Sequence, residues 1–246
     1  MELVLRGRGR VRRQQGVAIA VAGVIFDLDG VLVDSEPVWA DAKRELVREA
    51  GGTWTADAPI AMLGMSGPEW SAYMRDDLRV PLDAKEIGER VVAAVLERVE
   101  HGVPVIPGSL EAVAVLAERW PVGLASSADR PVIEAVLTAT GLKPFFDVTV
   151  SSGEAGRGKP APDVYLAAAE RLGVPPDRTV AVEDSPNGIR AAIAAGMGVI
   201  AIPNPHAPVD DETLATADVV LDAISKLTPA IVELAVTTRA ERETVA

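Results

Sequence analysis

The chain of 246 residues contains no cysteine and only two histidines, and these absences exclude several kinds of site. Without cysteine there can be no disulfide, no thiol nucleophile and no thiolate-bound metal. Two histidines leave little room for a zinc centre, which takes most of its ligands from histidine and cysteine. Any metal that this chain holds must therefore be bound mainly by oxygen.

Acidic residues outnumber basic ones beyond the N-terminal segment. The formal net charge is -12. Five arginines lie near the start of the chain, where Glu2 is the one acidic residue: Arg6, Arg8, Arg10, Arg12 and Arg13. The rest of the chain is thus more acidic than the total indicates, which disfavours a nucleic-acid partner. Long apolar runs are absent too. None reaches the roughly 18 residues of a membrane span, so we expect no membrane partner.

The apolar run at residues 17–26 has two interpretations. It follows an arginine-rich stretch and contains Ala20-Val21-Ala22, as a short signal peptide with a cleavage site would. We favour a buried first strand, because cleavage near Ala22 would remove half of the strand that precedes the strongest motif. Residues 1–16 are then expected to be a disordered basic tail, or the product of a start codon placed too far upstream. We expect a cytoplasmic protein, and a monomer is favoured although the oligomeric state stays open.

Short apolar runs rich in β-branched residues alternate with alanine-rich segments of helical periodicity. This alternation predicts an α/β fold with a Rossmann-like core, in which helices cover both faces of a parallel sheet. We assign residues 17–34 and 104–235 to this core. The predicted strands are 21–26, 122–125, 148–150, 179–182, 199–202 and 219–221.

Residues 37–100 interrupt the alternation because they contain no predicted strand. The segments 38–50, 69–78 and 84–100 have the pattern of amphipathic helices, and Gly51-Gly52 is a stop signal for the first. A helical block inside an α/β pattern predicts an inserted α-helical cap domain, which we assign to residues 35–103. The polar segment 236–246 is expected to be a frayed tail.

Polar residues follow four of the predicted strands at or near the point where each strand ends. They are Asp27-Leu28-Asp29-Gly30 after the first strand, Ser126-Ser127 after the second, Lys159 shortly after the third, and Glu183-Asp184 after the fourth. In open α/β sheets, ligand sites form at the carboxyl ends of the strands. We therefore expect these side chains to meet at one edge of the sheet.

The residue types at this edge fit phosphoryl transfer assisted by a cation. Several carboxylates in one cleft repel each other strongly unless a cation joins them. Oxygen ligands without histidine or cysteine favour Mg²⁺, which often takes one or two carboxylates plus a substrate phosphate. Lys159 and the Ser126 hydroxyl can bind phosphate oxygens. The sequence thus predicts Mg²⁺ as the cofactor and a small phosphorylated metabolite as the partner.

This arrangement resembles the haloacid dehalogenase superfamily of phosphohydrolases. The likeness spans roughly residues 23–227 and includes all four sequence motifs, at 27–35, 126, 159 and 183–188. The helical insert after the first motif is similar to the helical cap of that superfamily. The nearest subgroup contains β-phosphoglucomutase, phosphoglycolate phosphatase and small sugar-phosphate phosphatases.

The resemblance implies a role for each matched residue. Asp27 would attack phosphorus and form an aspartyl-phosphate, while Asp29 would serve as general acid and then as general base. The implied Mg²⁺ ligands are Asp27, the backbone carbonyl of Asp29, and Asp184, with Glu183 acting directly or through water. The implied phosphate-binding residues are Ser126, Ser127 and Lys159. Candidate substrate or loop residues are Asn187 and Trp39. The resulting prediction is a Mg²⁺-dependent phosphatase, with a sugar phosphate as the favoured substrate.

Two alternative functions stay open. A phosphosugar mutase of the β-phosphoglucomutase type carries a histidine shortly after the first motif, where this chain has Trp39, and an arginine where it has Gly67. Losing that arginine removes an anchor for a second phosphate, so hydrolysis is favoured. The other alternative is a non-catalytic protein that binds a phosphate ligand; it is disfavoured because no catalytic position is degenerate. The aromatic residues of the insert are expected mainly to pack its helices, with one or two lining the cleft.

Overall fold

The structure is a computed structural model that describes residues 20–62, 65–205 and 208–245. Its strands are β1 (Gly23–Phe26), β2 (Val122–Ser126), β3 (Val148–Ser151), β4 (Thr179–Glu183), β5 (Gly198–Ala201) and β6 (Val219–Val220). Within the described residues these six strands pair in parallel in the order β3-β2-β1-β4-β5-β6. The predicted Rossmann-like core is confirmed. The basic tail predicted for residues 1–16 lies outside the described residues.

Helices surround this sheet and fill the insert. They are α1 (Glu36–Ala50), α2 (Ala58–Ala61), α3 (Gly67–Asp76), α4 (Ala84–Glu100), α5 (Ser109–Ala117), α6 (Arg130–Thr140), α7 (Ser152–Ala155), α8 (Asp163–Leu172), α9 (Pro186–Ala194), α10 (Asp211–Leu214) and α11 (Pro229–Val245). Successive strand side chains point to opposite faces, so Val24 and Phe26 enter one apolar cluster and Ile25 enters the other. Helices α8 and α9 cover the Ile25 face, whereas α5, α6 and α11 cover the opposite face.

In the described residues of the insert, 35–62 and 65–103, the helices and strands assigned are all helices, as the sequence predicts. Helix α4 is its central element, since α1 and α3 both pack against it. A buried row at every fourth position of α4, formed by Ile87, Val91, Val95 and Val99, makes this possible. The same helix also contacts α6 of the core. The boundaries of the cap at residues 35 and 103 remain a prediction.

The two chain crossings between core and insert lie side by side. The N–H of Asp34 donates to the carbonyl of Pro104 at 2.8 Å, and the N–H of Ile106 donates to the carbonyl of Leu32 at 3.0 Å. Val33 and Val105 form an antiparallel bridge between them. The outgoing and returning chains are therefore hydrogen-bonded to each other.

The C-terminal segment differs from the frayed tail expected for residues 236–246, because α11 continues to Val245. Val232, Ala235 and Val236 form one buried helical face against the sheet. Arg242 then fastens the last turns by donating to the carbonyls of Thr216 (2.8 Å) and Ala217 (3.1 Å). Like every other helix in the described ranges, α11 lacks the combination of length and apolarity needed to cross a membrane.

Candidate active site

The Asp27 loop begins where β1 ends. The N–H of Asp27 still pairs with the β4 carbonyl of Val182 at 3.0 Å, which fixes this residue at the edge of the sheet. The chain then turns at Gly30, whose φ is 81° and whose N–H donates to the carbonyl of Val33. A Cβ at position 30 would lie 1.9 Å from Oδ2 of Asp184. Glycine is therefore required both for the turn and for the close approach of the two carboxylate-bearing loops.

Lys159 lies at the centre of a buried cluster of charges. Its Nζ donates to Oδ1 of Asp27 and to Oε1 of Glu183, each at 2.6 Å, and to the carbonyl of Ala125 at 3.1 Å. The Tyr165 hydroxyl donates to the same Glu183 oxygen at 2.7 Å. Burial acts to lower the pKa of Lys159, but the two carboxylates outweigh it and the pKa is raised. The ammonium group therefore stays charged inside the protein.

Glu183 holds Lys159 in place. Its Oε2 accepts hydrogen bonds from the N–H groups of Asp184 (3.0 Å) and Ser185 (3.2 Å) and from the Ser185 hydroxyl (3.1 Å). A Cβ at Gly188 would lie 1.8 Å from Oε1, so the start of α9 packs directly on this carboxylate. Because both oxygens already accept from protein donors, the geometry favours a positioning role for Glu183 over direct metal ligation.

Asp29 lies at the border between this cluster and an open cavity. One oxygen accepts a hydrogen bond from the Ser35 hydroxyl, and Oδ2 faces the Ser126 hydroxyl at 3.4 Å. Burial raises the pKa of Asp29, although Ser35 and the Trp39 indole oppose the shift as hydrogen-bond donors. A carboxyl group with a raised pKa that also lines a cavity is suited to proton transfer.

The two predicted phosphate-binding serines occupy different places. Ser126 is fully buried, and its Oγ accepts from the N–H of Ala128 at 3.0 Å in addition to contacting Asp29. Ser127 lines the cavity instead, as does Asn187 in the first turn of α9. The structure thus brings Ser127 and Asn187 to the ligand space, whereas Ser126 supports Asp29 from inside the protein.

Asp27, Glu183 and Asp184 offer carboxylate oxygens that all lie within 4.8 Å of one another. The Asp184 carboxylate is buried and, within the described residues, accepts no hydrogen bond. Burial, with Glu183 and Asp27 nearby, raises the pKa of Asp184 well above its usual value. Burial also raises the pKa of Asp27 to about 8, although Lys159 opposes the shift. These oxygen donors fit Mg²⁺, because a dication would remove their mutual repulsion.

A cavity of about 300 Å³ opens beside the carboxylates and is lined by both core and cap. On the cap side, the rings of Trp39 and Trp70 meet edge to face with centroids 6.2 Å apart, and Trp54 also lines the space. The Lys43 ammonium lies 5.6 Å from the Trp39 ring centre and 5.0 Å from that of Trp70. Trp39 therefore both packs the cap and faces the ligand space.

Three residues of this region were not predicted. Tyr165 follows Lys159 by six residues in the first turn of α8, and a fully buried tyrosine hydroxyl requires a partner. Lys43 follows Trp39 by four residues, a spacing that places both on one face of α1 and could have revealed it. Asp129 has the sequence signature of an N-cap; it occupies that position without a capping hydrogen bond and lines the cavity.

Known proteins are similar to this chain in sequence and in fold. Residues 21–196 match the family model of the haloacid dehalogenase-like hydrolases. Hexitol phosphatase B of Escherichia coli strain K12 is 37% identical over 214 residues, which cover 85% of this chain and 95% of that protein.

Solved structures extend the likeness to the whole architecture. CbbY from Rhodobacter sphaeroides, crystallised in complex with phosphate, has a TM-score of 0.76 at 29% identity, covering 84% of this chain and 96% of that one. A β-phosphoglucomutase from Clostridium difficile has a TM-score of 0.77 at 22% identity over 91% and 99% of the two chains, a likeness of fold. The family match spans the core motifs and the insert alike, and the chain is an enzyme that belongs to the haloacid dehalogenase-like hydrolase family.

Proposed function

We propose that this enzyme is a Mg²⁺-dependent phosphatase that hydrolyses a small sugar phosphate through an aspartyl-phosphate on Asp27. The observation that carries the proposal is the convergence of Asp27, Asp184 and Lys159 at the inner end of one cavity. The similarity to a hexitol phosphatase supports a sugar phosphate as the substrate.

Two carboxyl groups would divide the chemistry. An oxygen of Asp27 attacks phosphorus, and the bond from phosphorus to the leaving oxygen breaks as Asp29 gives that oxygen a proton. Asp29, now a carboxylate, takes a proton from water as the water oxygen attacks phosphorus and the bond between phosphorus and the Asp27 oxygen breaks. Phosphate leaves, and both side chains return to their starting states. Ser35 and Trp39 hold the Asp29 carboxyl in place during both transfers.

The remaining residues would bind the phosphate and the ion. Asp27, Asp184 and the backbone carbonyl of Asp29 are the proposed Mg²⁺ ligands, with Glu183 acting through water. When bound, Mg²⁺ offsets the negative charge of the carboxylates and of the phosphoryl oxygens. Lys159 donates to a phosphoryl oxygen while Glu183 keeps its ammonium in position. Ser127 lines the cavity and can donate to the same group, and Ser126 is proposed to act beside it.

A direct test is a panel of phosphate esters assayed with excess Mg²⁺ and with EDTA. We expect release of inorganic phosphate from sugar phosphates and from p-nitrophenyl phosphate, its loss in EDTA, and its return with Mg²⁺. Glucose 6-phosphate formed from β-glucose 1-phosphate would instead indicate the mutase alternative. Zero turnover of the whole panel would leave the non-catalytic alternative standing. The cytoplasmic location and monomeric state stay predictions.

A further inference from the structure

Lys159 uses all of its hydrogen-bond donors on protein groups. An ammonium group carries three N–H donors. That of Lys159 donates to Oδ1 of Asp27, to Oε1 of Glu183 and to the carbonyl of Ala125. In the proposed reaction the same group must also donate to a phosphoryl oxygen. One of the three contacts must therefore lengthen as the phosphoryl group is bound and transferred.

The contact with Asp27 is the one that the proposed reaction weakens. When one Asp27 oxygen bonds to phosphorus, the carboxylate loses the negative charge that attracts Lys159. Glu183 keeps its charge, and its Oε2 is held by the N–H groups of Asp184 and Ser185. The donor on Asp27 can therefore pass to a phosphoryl oxygen while Glu183 continues to hold the ammonium group.

The Tyr165 hydroxyl affects how strongly Glu183 attracts Lys159. It donates to Oε1 of Glu183 at 2.7 Å, the same oxygen that accepts from Lys159 at 2.6 Å. Because the O–H dipole offsets part of the negative charge on this oxygen, it weakens the attraction for the ammonium group. The Tyr165 ring centre lies 5.0 Å from Nζ of Lys159. Tyr165 is fully buried and, unlike Lys159, is not among the described residues that line the cavity. Its hydroxyl can therefore act on a ligand only through other residues.

We infer that Tyr165 is a positioning residue for Lys159. Its hydroxyl, acting through Oε1 of Glu183, keeps the ammonium group between Glu183 and Asp27, where one donor can pass from Asp27 to a phosphoryl oxygen. Without the hydroxyl, Glu183 draws the ammonium group towards itself and away from Asp27, so phosphate binding weakens. This inference rests on the proposed phosphatase function and adds a buried residue to the groups that support it.

The test is Tyr165→Phe, which removes the hydroxyl and keeps the ring. The full chain is assayed in Mg²⁺ with p-nitrophenyl phosphate as the substrate and inorganic phosphate as a competitive inhibitor. We expect KM for the ester and Ki for inorganic phosphate to rise together, each about tenfold, the value of one hydrogen bond to a charged group. Both constants report binding of a phosphoryl group, which is the step that Lys159 serves.

The matched control is Tyr73→Phe, the same substitution on α3 of the insert. The Tyr73 hydroxyl makes no hydrogen bond to a described residue, so KM, Ki and kcat should keep their parental values. If Tyr165 only packed against the core, Tyr165→Phe would lower the amount of folded enzyme, and hence the apparent kcat, but would leave KM and Ki unchanged. Unchanged KM and Ki overturn the inference, whatever happens to kcat, and leave the phosphatase function intact. Absence of p-nitrophenyl phosphate turnover by the parental enzyme is a different failure, because it removes the proposed function itself.

Discussion

The two ends of the cavity use charge in opposite ways. At the inner end, Lys159 is held by Asp27 and Glu183 at 2.6 Å each, so its position is set before any ligand arrives. At the other end, which we call the outer end and which the cap residues Trp39, Lys43 and Trp70 line, the Lys43 ammonium lies against aromatic rings and donates no hydrogen bond to a described residue. On the proposed function, the core side of the cavity is preorganised for the reaction, whereas the Lys43 ammonium on the cap side has donors left for a ligand.

The largest loss of activity is expected when the proposed nucleophile, Asp27, is removed. Asp27→Asn keeps the shape of the side chain but removes the attacking carboxylate, so we expect kcat for p-nitrophenyl phosphate to fall at least about 10³-fold. The control is Asp222→Asn at an exposed position, which should leave kcat unchanged. Circular dichroism should be the same for all three proteins. If kcat of Asp27→Asn for p-nitrophenyl phosphate equalled that of the parental enzyme, the covalent route would be refuted.

The two lysines should differ in their contribution to stability. Lys159→Met leaves two buried carboxylates without their cation, so the free energy of unfolding should fall by about 3–5 kcal/mol in EDTA. Lys43→Met breaks no described ion pair within 4 Å and should cost much less. Urea denaturation of both variants measures the difference, with Lys85→Met as the exposed reference. Equal losses for Lys159 and Lys43 would mean that the two ends do not differ in this way.

The Gly30 turn offers a sharper probe of the inner end. Gly30 and Gly51 have nearly the same positive φ, 81° and 77°, but a Cβ at Gly51 meets nothing within 4 Å. Alanine at either position should therefore share a backbone cost of about 1 kcal/mol. Only Gly30→Ala displaces the Asp184 carboxylate, so only that variant should need more Mg²⁺, by about tenfold or more, for half-maximal activity. If Gly30→Ala needed no more Mg²⁺ than the parental enzyme, Asp184 would not be a ligand of the ion.

The last prediction concerns the change of stability with pH in EDTA. The pKa of Asp27 is raised from 3.8 to about 8 in the fold, mainly by burial, so the native state binds a proton that the unfolded state releases. That contribution is complete below about pH 4 and is lost as pH rises from about 4 to about 8. The Tm should therefore decrease over this interval in EDTA, and less steeply in Mg²⁺. Identical slopes with and without Mg²⁺ would contradict a cation beside Asp27.

The sequence predicted most of the inner end because its acidic and serine residues lie at or just beyond the ends of short apolar strands. Asp27, Ser126 and Glu183-Asp184 had to meet once the strands were parallel, and they do. The direction of each side chain was not predictable: Ser126 faces inward to Asp29, and Ser127 reaches the cavity. Their roles in catalysis stay predictions.

The site residues that were not predicted depend on how helices pack, and a single sequence carries little of that information. Lys43 and Tyr165 lie on helices whose apolar faces identify a buried side but not the partner that they meet. The same limit explains α11, where Val232, Ala235 and Val236 have the spacing of a buried face while the residues that follow them are mainly polar. The polar composition of residues 236–246 therefore predicted a frayed tail, although α11 continues through this segment to Val245.

The paired crossings at Val33 and Val105 make the cap a replaceable module. The chain leaves and re-enters the core through neighbouring residues that are hydrogen-bonded to each other. The whole insert is therefore connected to the core in the same way as the loop of a hairpin is connected to its two strands. Such a loop can be exchanged for another of different length with little effect on the framework that presents it. Substitution or grafting of one continuous segment can thus change the ligand space while the sheet is kept, provided that Ser35 and Trp39 stay, because they contact Asp29.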